Sequence, residues 1–113
     1  MLLSLPAISP ADIIFQAGSN SIIANKADIL DAALGRSRAE EYVVHLEFTI
    51  EFGRNLFLFT SKNLGKPLTI KAFGTLVGKP KKLEYSYTDR IQITNLNKKE
   101  AELLVNNIKK PVD

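Results

Sequence analysis

The sequence predicts an α+β fold, a mainly antiparallel β-sheet with about three helices on one face. Apolar and polar residues alternate over residues 41–52, the pattern of a long strand with one buried face. Three other segments carry apolar residues at helical spacing, and short β-branched runs occupy much of the remainder. A chain of 113 residues is long enough for one core, so a single domain is expected.

The long strand is expected to bury one row of side chains and to end at Gly53. The row consists of Tyr42, Val44, Leu46, Phe48, Ile50 and Phe52. The shorter strand candidates come in pairs: residues 12–17 with 21–24, 67–72 with 75–79, and 83–87 with 90–94. Gly18 and Gly74 lie between the strands of the first two pairs, which favours hairpins there.

The three predicted helices each have an interpretable start or stop. Residues 26–34 follow Asn25, a good N-cap, and precede Gly35. Residues 54–63 are followed by Gly65, a natural C-terminal stop. The last helix starts at Asn97 with a capping box to Glu100 and ends at Pro111. The expected buried stripes are Ala27, Leu30 and Leu34 in the first helix, Leu56, Phe57, Phe59 and Thr60 in the second, and Ala101, Leu104, Val105 and Ile108 in the third.

The first eleven residues differ from the rest. Residues 1–11 carry no charge, and Leu2, Leu3 and Leu5 make a short apolar run before Pro6. Small residues precede Asp12, as at a signal-peptide cleavage site, although a basic region is missing. Residues 1–11 are therefore interpreted as a signal-peptide remnant or a disordered N-terminus, and residues 12–113 as the domain. No apolar run approaches the roughly 20 residues that span a membrane.

Positive charge is concentrated in the C-terminal part of the chain. The net charge is +3, and Lys79, Lys81 and Lys82 form its densest cluster, which a solvated face explains best. Tyr85 and Tyr87 stand between this cluster and Arg90, a sparse version of the pattern that binds single-stranded nucleic acid. Alternation equally explains both tyrosines as facing the core with Leu83, and we favour that interpretation.

The sequence lacks the residues that most catalytic and metal sites require. Cysteine is absent and His45 is the only histidine, which excludes thiolate sites and a histidine pair for zinc. Glu47 and Glu51 would share the polar face of the long strand with His45, but lie too far apart for paired carboxylate catalysis. No glycine-rich phosphate loop is present. We therefore predict a protein that is not an enzyme and has no cofactor or metal.

The order of residues between positions 57 and 80 resembles the head of the first periplasmic domain of SecD. The matching residues are Phe57, Thr60, Asn63, Gly65, Lys66, Leu68, Ile70, Gly74 and Pro80. Upstream, Asp28-Ile29 and Ala32 resemble an element that precedes the long strand of that head. Downstream, Ile91, Ile93, Thr94, Glu100, Ala101 and Leu104 resemble its last strand and helix. The resemblance covers residues 22–108.

This resemblance implies a ferredoxin-like, SecD head-like fold and a location in the bacterial periplasm or outside the cell. It also implies a non-catalytic domain that binds polypeptide or assists export, with the export machinery as a candidate partner. The candidate partner-binding residues are Lys79, Lys81, Lys82, Tyr85, Tyr87 and Arg90. A small secreted inhibitor or immunity-type protein, with one protein partner, remains the alternative. Nucleic-acid binding is not expected.

Overall fold

The computed structural model describes residues 12–36 and 41–109, which contain seven β-strands and two α-helices. The strands are β1 (Ile13–Ala17), β2 (Asn20–Ala24), β3 (Ile29–Arg36), β4 (Tyr42–Phe48), β5 (Pro67–Ala72), β6 (Thr75–Lys82) and β7 (Arg90–Leu96). The helices are α1 (Ile50–Lys62) and α2 (Lys98–Lys109). The α+β class is confirmed, whereas the expected number of about three helices is wrong. Residues 1–11, interpreted as a signal-peptide remnant or a disordered N-terminus, lie outside the described residues. The predicted end of the last helix at Pro111 lies outside them too.

The strands form two antiparallel sheets instead of one. The four-stranded sheet has the order β2-β1-β5-β6, and the three-stranded sheet has the order β3-β4-β7. The hairpins β1–β2 and β5–β6 follow the sequence prediction. Phe73 and Gly74 both have positive φ, 55° and 80°, in the tight turn between β5 and β6, the geometry of a two-residue hairpin. β6 extends to Lys82, beyond the predicted end at residue 79.

The helix predicted over residues 26–34 is wrong. Asn25 does form a capping box with Asp28, but the helix it starts is a single 3-10 turn. Strand β3 follows and pairs with β4, which places Ala32 opposite Leu46 and buries it. Leu30 and Leu34, expected inside, are 62% and 45% exposed. Pairing with β4, the next strand along the chain, has overridden a weak local helical pattern.

The long alternating segment divides into a strand and a helix. Thr49 adopts an extended backbone and its hydroxyl accepts a hydrogen bond from the Phe52 amide, so α1 begins at Ile50. Gly53 therefore lies inside the helix and does not end a strand. The predicted strand to residue 52 and helix from residue 54 are both corrected, because capping by Thr49 changes the periodicity from two to 3.6.

A continuous core joins the two sheets and both helices. Phe15 of β1 lies 6.0 Å from Phe48, and Phe48 lies 4.8 Å from Phe52, between ring centroids. Helix α2 contributes the predicted apolar side chains of one face to this core: Ala101, Leu104 and Val105 are buried and Ile108 is partly buried. Its capping box is also confirmed, with reciprocal hydrogen bonds of 2.8 and 3.1 Å between Asn97 and Glu100.

Residues 83–89, predicted to start with a strand over 83–87, form an irregular strap that runs antiparallel to α1. At one end, the Gly65 amide donates to the Leu83 carbonyl at 2.8 Å. At the other, the Phe48 amide donates to the Asp89 carbonyl at 2.7 Å. A methyl group on Gly53 would lie about 3.0 Å from the backbone of Asp89. The strap therefore packs against helix backbone, a close approach that only glycine allows.

We expect Gly53→Ala to lower the free energy of unfolding by about 1–3 kcal/mol, because the added methyl group collides with the Asp89 backbone. Alanine favours a helix more than glycine does, so the helix alone would gain about 1 kcal/mol. Urea unfolding followed by circular dichroism measures the net change. Asn55→Ala, at an exposed position of the same helix, is the control and should not destabilise. A Gly53→Ala protein as stable as the parent would contradict this packing.

Candidate binding surface

The candidate partner-binding residues divide between two adjoining depressions that share Tyr87. Lys79, Lys81 and Lys82 are exposed on β6 and border a narrow crevice with a volume of about 30 Å³. Tyr85 and Arg90 border a wider depression of about 550 Å³, which we call the outer groove. Tyr87 lines both. The structure thus brings the six residues to one side of the strap, but not into one cavity.

The two tyrosines form a pair on the strap, with ring centroids 5.0 Å apart. Tyr85 is 57% exposed, whereas Tyr87 is partly buried against the core. The favoured interpretation that both face the core is therefore wrong for Tyr85. Strict alternation fails because residues 83–89 are not a strand.

Hydrogen bonds to α1 hold the tyrosine pair in place. The Thr60 hydroxyl is fully buried, donates to the Leu56 carbonyl at 2.8 Å and accepts from the Tyr87 amide at 3.0 Å. One helical position further on, the hydroxyls of Ser61 and Ser86 lie 2.7 Å apart. Two consecutive residues of the strap, Ser86 and Tyr87, are therefore hydrogen-bonded to α1, and Tyr85 directly precedes them.

The outer groove lies on the face of the three-stranded sheet that is turned away from the core. Asp31, Glu47 and Arg90 form one row across β3, β4 and β7. Ala33, His45 and Gln92 form the next. The row carries opposite charges on β4 and β7, where Arg90 Nη2 lies 3.7 Å from Glu47 Oε2. Asp31 completes the row at the outer edge of β3.

The outer groove contains the only histidine of the chain and two of its carboxylates. His45 is exposed and shares the open groove with Asp31 and Glu47. In the described part of the chain, no cluster of three histidine, aspartate or glutamate residues is placed to hold a metal ion. The predicted alignment of Glu51 with His45 and Glu47 is wrong, since Glu51 belongs to α1.

A second exposed surface, which the sequence reading missed, lies along α1. Ile50, Phe57 and Leu58 line an apolar groove with Arg54 and the end of the strap. Ile50 is 71% and Phe57 45% exposed, although both were predicted to face inward. The sequence signal for this surface was the spacing of four between Phe52, Leu56 and Thr60. That spacing defines the buried face of α1 and leaves Ile50, Phe57 and Leu58 outside it.

Burial raises the pKa of Tyr87 from 10.0 to about 12, and a side-chain hydrogen bond with Tyr85 and the charges of Tyr85 and Glu84 act in the same direction. The neutral phenol is thus the form that the folded state favours. The contribution that this preference makes to the stability of the folded state is fully present below pH 10. It is lost as the pH rises to about 12, the pKa of Tyr87 in the folded state.

Solved structures of SecDF resemble this one. A crystal structure of SecDF in a super-membrane-facing form aligns with a TM-score of 0.66 and 23% identity, over 78% of this chain and 12% of that chain. The structure of SecDF described as a membrane component that enhances protein export aligns with a TM-score of 0.62 and 22% identity, over 78% of this chain and 40% of that chain. The chain has a SecD-like fold.

The structural similarity confirms the resemblance read from residues 22–108 at the level of fold. No protein-family model matches the sequence, and no curated protein matches it. The chain spans less than half the length of either SecDF chain. The inhibitor alternative gains no support from these comparisons. Neither helix of the described region is long and apolar enough to cross a membrane.

We expect Tyr85→Phe to lower the pKa of Tyr87, because it removes a hydrogen-bonding and charged neighbour. The value should stay above 10.0, since burial is the largest cause of the shift. Carbon-13 labelling of the tyrosine ζ carbons allows each phenol to be titrated by NMR. Tyr42→Phe is the control and should leave the Tyr87 titration in place. An unchanged Tyr87 pKa in Tyr85→Phe would show that the pair is not coupled.

We expect Thr60→Val to destabilise the domain by about 1–3 kcal/mol, because the buried Tyr87 amide loses its acceptor. The strap should loosen locally, so hydrogen exchange at the Tyr87 amide should accelerate more than exchange in β1 or β5. Thr75→Val makes the same chemical change at an exposed strand position and is the control. Equal exchange of the Tyr87 amide in the parent and in Thr60→Val would contradict the role of this hydroxyl.

Proposed function

We propose that this protein is a non-catalytic domain that binds extended polypeptide outside the cytoplasm and assists protein export. The observation that carries the proposal is the SecD-like fold, since the similar SecDF is described as enhancing protein export. Fold similarity alone does not assign function, so the surface must provide the second argument. Association with the export machinery belongs to the same proposal.

The surface supports binding of apolar polypeptide segments. Ile50, Phe57 and Leu58 on α1 and Tyr85 on the strap are all at least 45% exposed. Large apolar side chains grouped at the surface mark interaction sites more often than isolated ones do. Lys79, Lys81 and Lys82 border the crevice that Tyr87 shares with the outer groove, and Arg90 borders the outer groove itself, so positive charge adjoins the tyrosine pair and speeds encounter with a polypeptide. These residues, with Tyr87, make up the proposed partner-binding surface.

A polypeptide that is still unfolded exposes unpaired backbone groups as well as apolar side chains. Two open sheets offer edges at which an extended segment can add as a further strand. Pairing through the backbone tolerates many sequences, whereas the tyrosines supply apolar contact for alternate side chains. The proposed mechanism therefore combines strand addition with contacts near Tyr85 and Tyr87.

The non-catalytic part of the proposal rests on the spacing of reactive groups. The single histidine is exposed in an open groove, where water is not excluded from its neighbours. General acid–base catalysis depends on positioned and often buried groups with perturbed pKa values. Tyr87, the residue with a raised pKa, is held in its neutral and unreactive form.

Titration of the nitrogen-15 labelled protein with a permanently unfolded, alkylated polypeptide tests this function. We expect saturable amide shifts on the strap and in the outer groove, and about fivefold weaker binding for Tyr85→Ala. Leu103→Ala removes a similarly exposed apolar side chain on α2 and is the control, with affinity unchanged. Absence of shifts at high polypeptide concentration, or tight binding of one folded partner only, would contradict the proposal.

A further inference from the structure

The described residues leave two outer edges on each sheet, and three of the four are protected or uncharged. β6 carries Lys79, Pro80, Lys81 and Lys82 and bulges between Val77 and Lys81. Lysine, proline and bulges are the devices that prevent an edge from pairing. β7 is covered by β6, because Gly78 lies close to the Thr94 carbonyl and the Leu96 side chain.

The edge formed by β2 is short and tied to the neighbouring helix. This strand has five residues, none of them charged. The Asn20 side-chain amide donates to the side-chain oxygen Oδ1 of Asn63 at 2.9 Å, which joins the start of β2 to the C-terminal end of α1. A partner strand at this edge would find no charge to select it.

β3 differs from the other three edges. It pairs on one side with β4 and, within the described residues, with no strand on the other. The pairing with β4 shifts register between Ile29 and Asp31 and is regular from Asp31 to Arg36, a stretch that contains neither lysine nor proline. The guanidinium of Arg36 lies 4.8 Å from the Tyr42 ring centre, above its own sheet. The edge therefore presents backbone groups in the extended form that accepts another strand.

The charges across the sheet define what such a strand should carry. Arg90 on β7 pairs with Glu47 on β4, and Glu47 is directly opposite Asp31 on β3. Two carboxylates face each other at the outer end of this row, which is unfavourable. Asp31 is exposed, and no ion pair to it is formed by the described residues. A lysine or arginine on a strand added beside β3 would face Asp31, so that the row across the sheet would have a positive charge at each end.

We propose that the free edge of β3 is the site at which an extended polypeptide adds as a fourth strand, with a lysine or arginine opposite Asp31. This inference rests on the proposed polypeptide-binding function and specifies its edge and its preferred side chain. The side chains of the added strand that face the outer groove continue the rows of Asp31 and Ala33. Those on the other face continue the row of Ala32 and Leu34, where the 45% exposure of Leu34 leaves apolar surface to cover.

Nine-residue peptides of alternating serine and valine, with a central lysine or a central glutamate, provide the probes. We expect both to slow hydrogen exchange in β3, and the lysine peptide to bind roughly fivefold more tightly because of its opposite charge. N-methylation of alternate peptide backbone amides should abolish binding, since it removes the strand hydrogen bonds. Asp31→Lys should reverse the preference, so that the glutamate peptide binds more tightly.

Two further variants separate the charge of Asp31 from general electrostatic attraction. Asp31→Asn keeps the size of the side chain and should remove the preference between the two peptides. Glu51→Lys makes the same charge reversal on α1, away from the row, and should leave the preference unchanged. A preference that survives Asp31→Lys, or that disappears in Glu51→Lys, overturns the inference.

The same experiments distinguish this inference from the broader function. If unfolded polypeptide shifts the strap while exchange in β3 stays fast, the β3 site is wrong and the proposed function stands. If neither the polypeptide nor the peptides bind, both are wrong. Protection of β3 that rises with protein concentration in the absence of peptide, with a dimer in sedimentation, means that a second copy occupies the edge and overturns the proposal.

Discussion

The contact between α1 and residues 83–89 is the constraint on which the surface of this domain depends. The strap crosses from the four-stranded sheet to the three-stranded sheet without regular hydrogen bonds of its own. Instead, the Tyr87 amide donates to the Thr60 hydroxyl, and the carbonyls of Leu83 and Asp89 accept from the amides of Gly65 and Phe48. Because Gly53 lacks a side chain, the strap can approach the helix closely enough to make these bonds. The positions of Tyr85 and of the outer groove follow from this packing.

The same contact explains why part of the apolar surface stays outside. α1 has one face for Phe52, Leu56 and Thr60, which are buried, and the strap occupies the side next to it. Ile50, Phe57 and Leu58 are then left without a neighbour to cover them. Burying each large side chain would gain about 1.5–3 kcal/mol, so their exposure is a cost to the isolated domain. A binding surface is a physical reason for retaining such residues.

Local signals predicted those elements whose geometry is determined within a few residues. The turn at Phe73 and Gly74, the hairpin around Gly18 and the capping box of Asn97 with Glu100 all have this property. β3 was missed because its strand conformation is determined by β4, and because Asn25 and Asp28 start a real but single helical turn. The candidate surface divides in the same way: Tyr85, Tyr87 and Arg90 were proposed from the sequence, and the structure places all three at the outer groove. The place of Asp31 in the charged row depends on the pairing of β3 with β4, which no local pattern encodes. The exposed side of α1 was missed because the capping by Thr49, which sets the start of the helix, was not recognised.

Two short sheets have four outer edges where one larger sheet would have two, and unpaired edges invite association with other chains. In this fold, β6 and β7 cover each other near Gly78, and three lysines and a proline follow Gly78 on β6. β3 has neither lysine nor proline: after the register shift between Ile29 and Asp31, small and apolar residues lie between Asp31, which faces Glu47 across the sheet, and Arg36. Protection so unevenly distributed is difficult to explain by solubility alone, which would favour a lysine on every edge. Apart from β7, which β6 covers, the edges that lack lysine and proline are β2 and β3. β2 has no charged residue, whereas β3 presents Asp31, so an extended partner at β3 is held by its backbone and also selected by its charge.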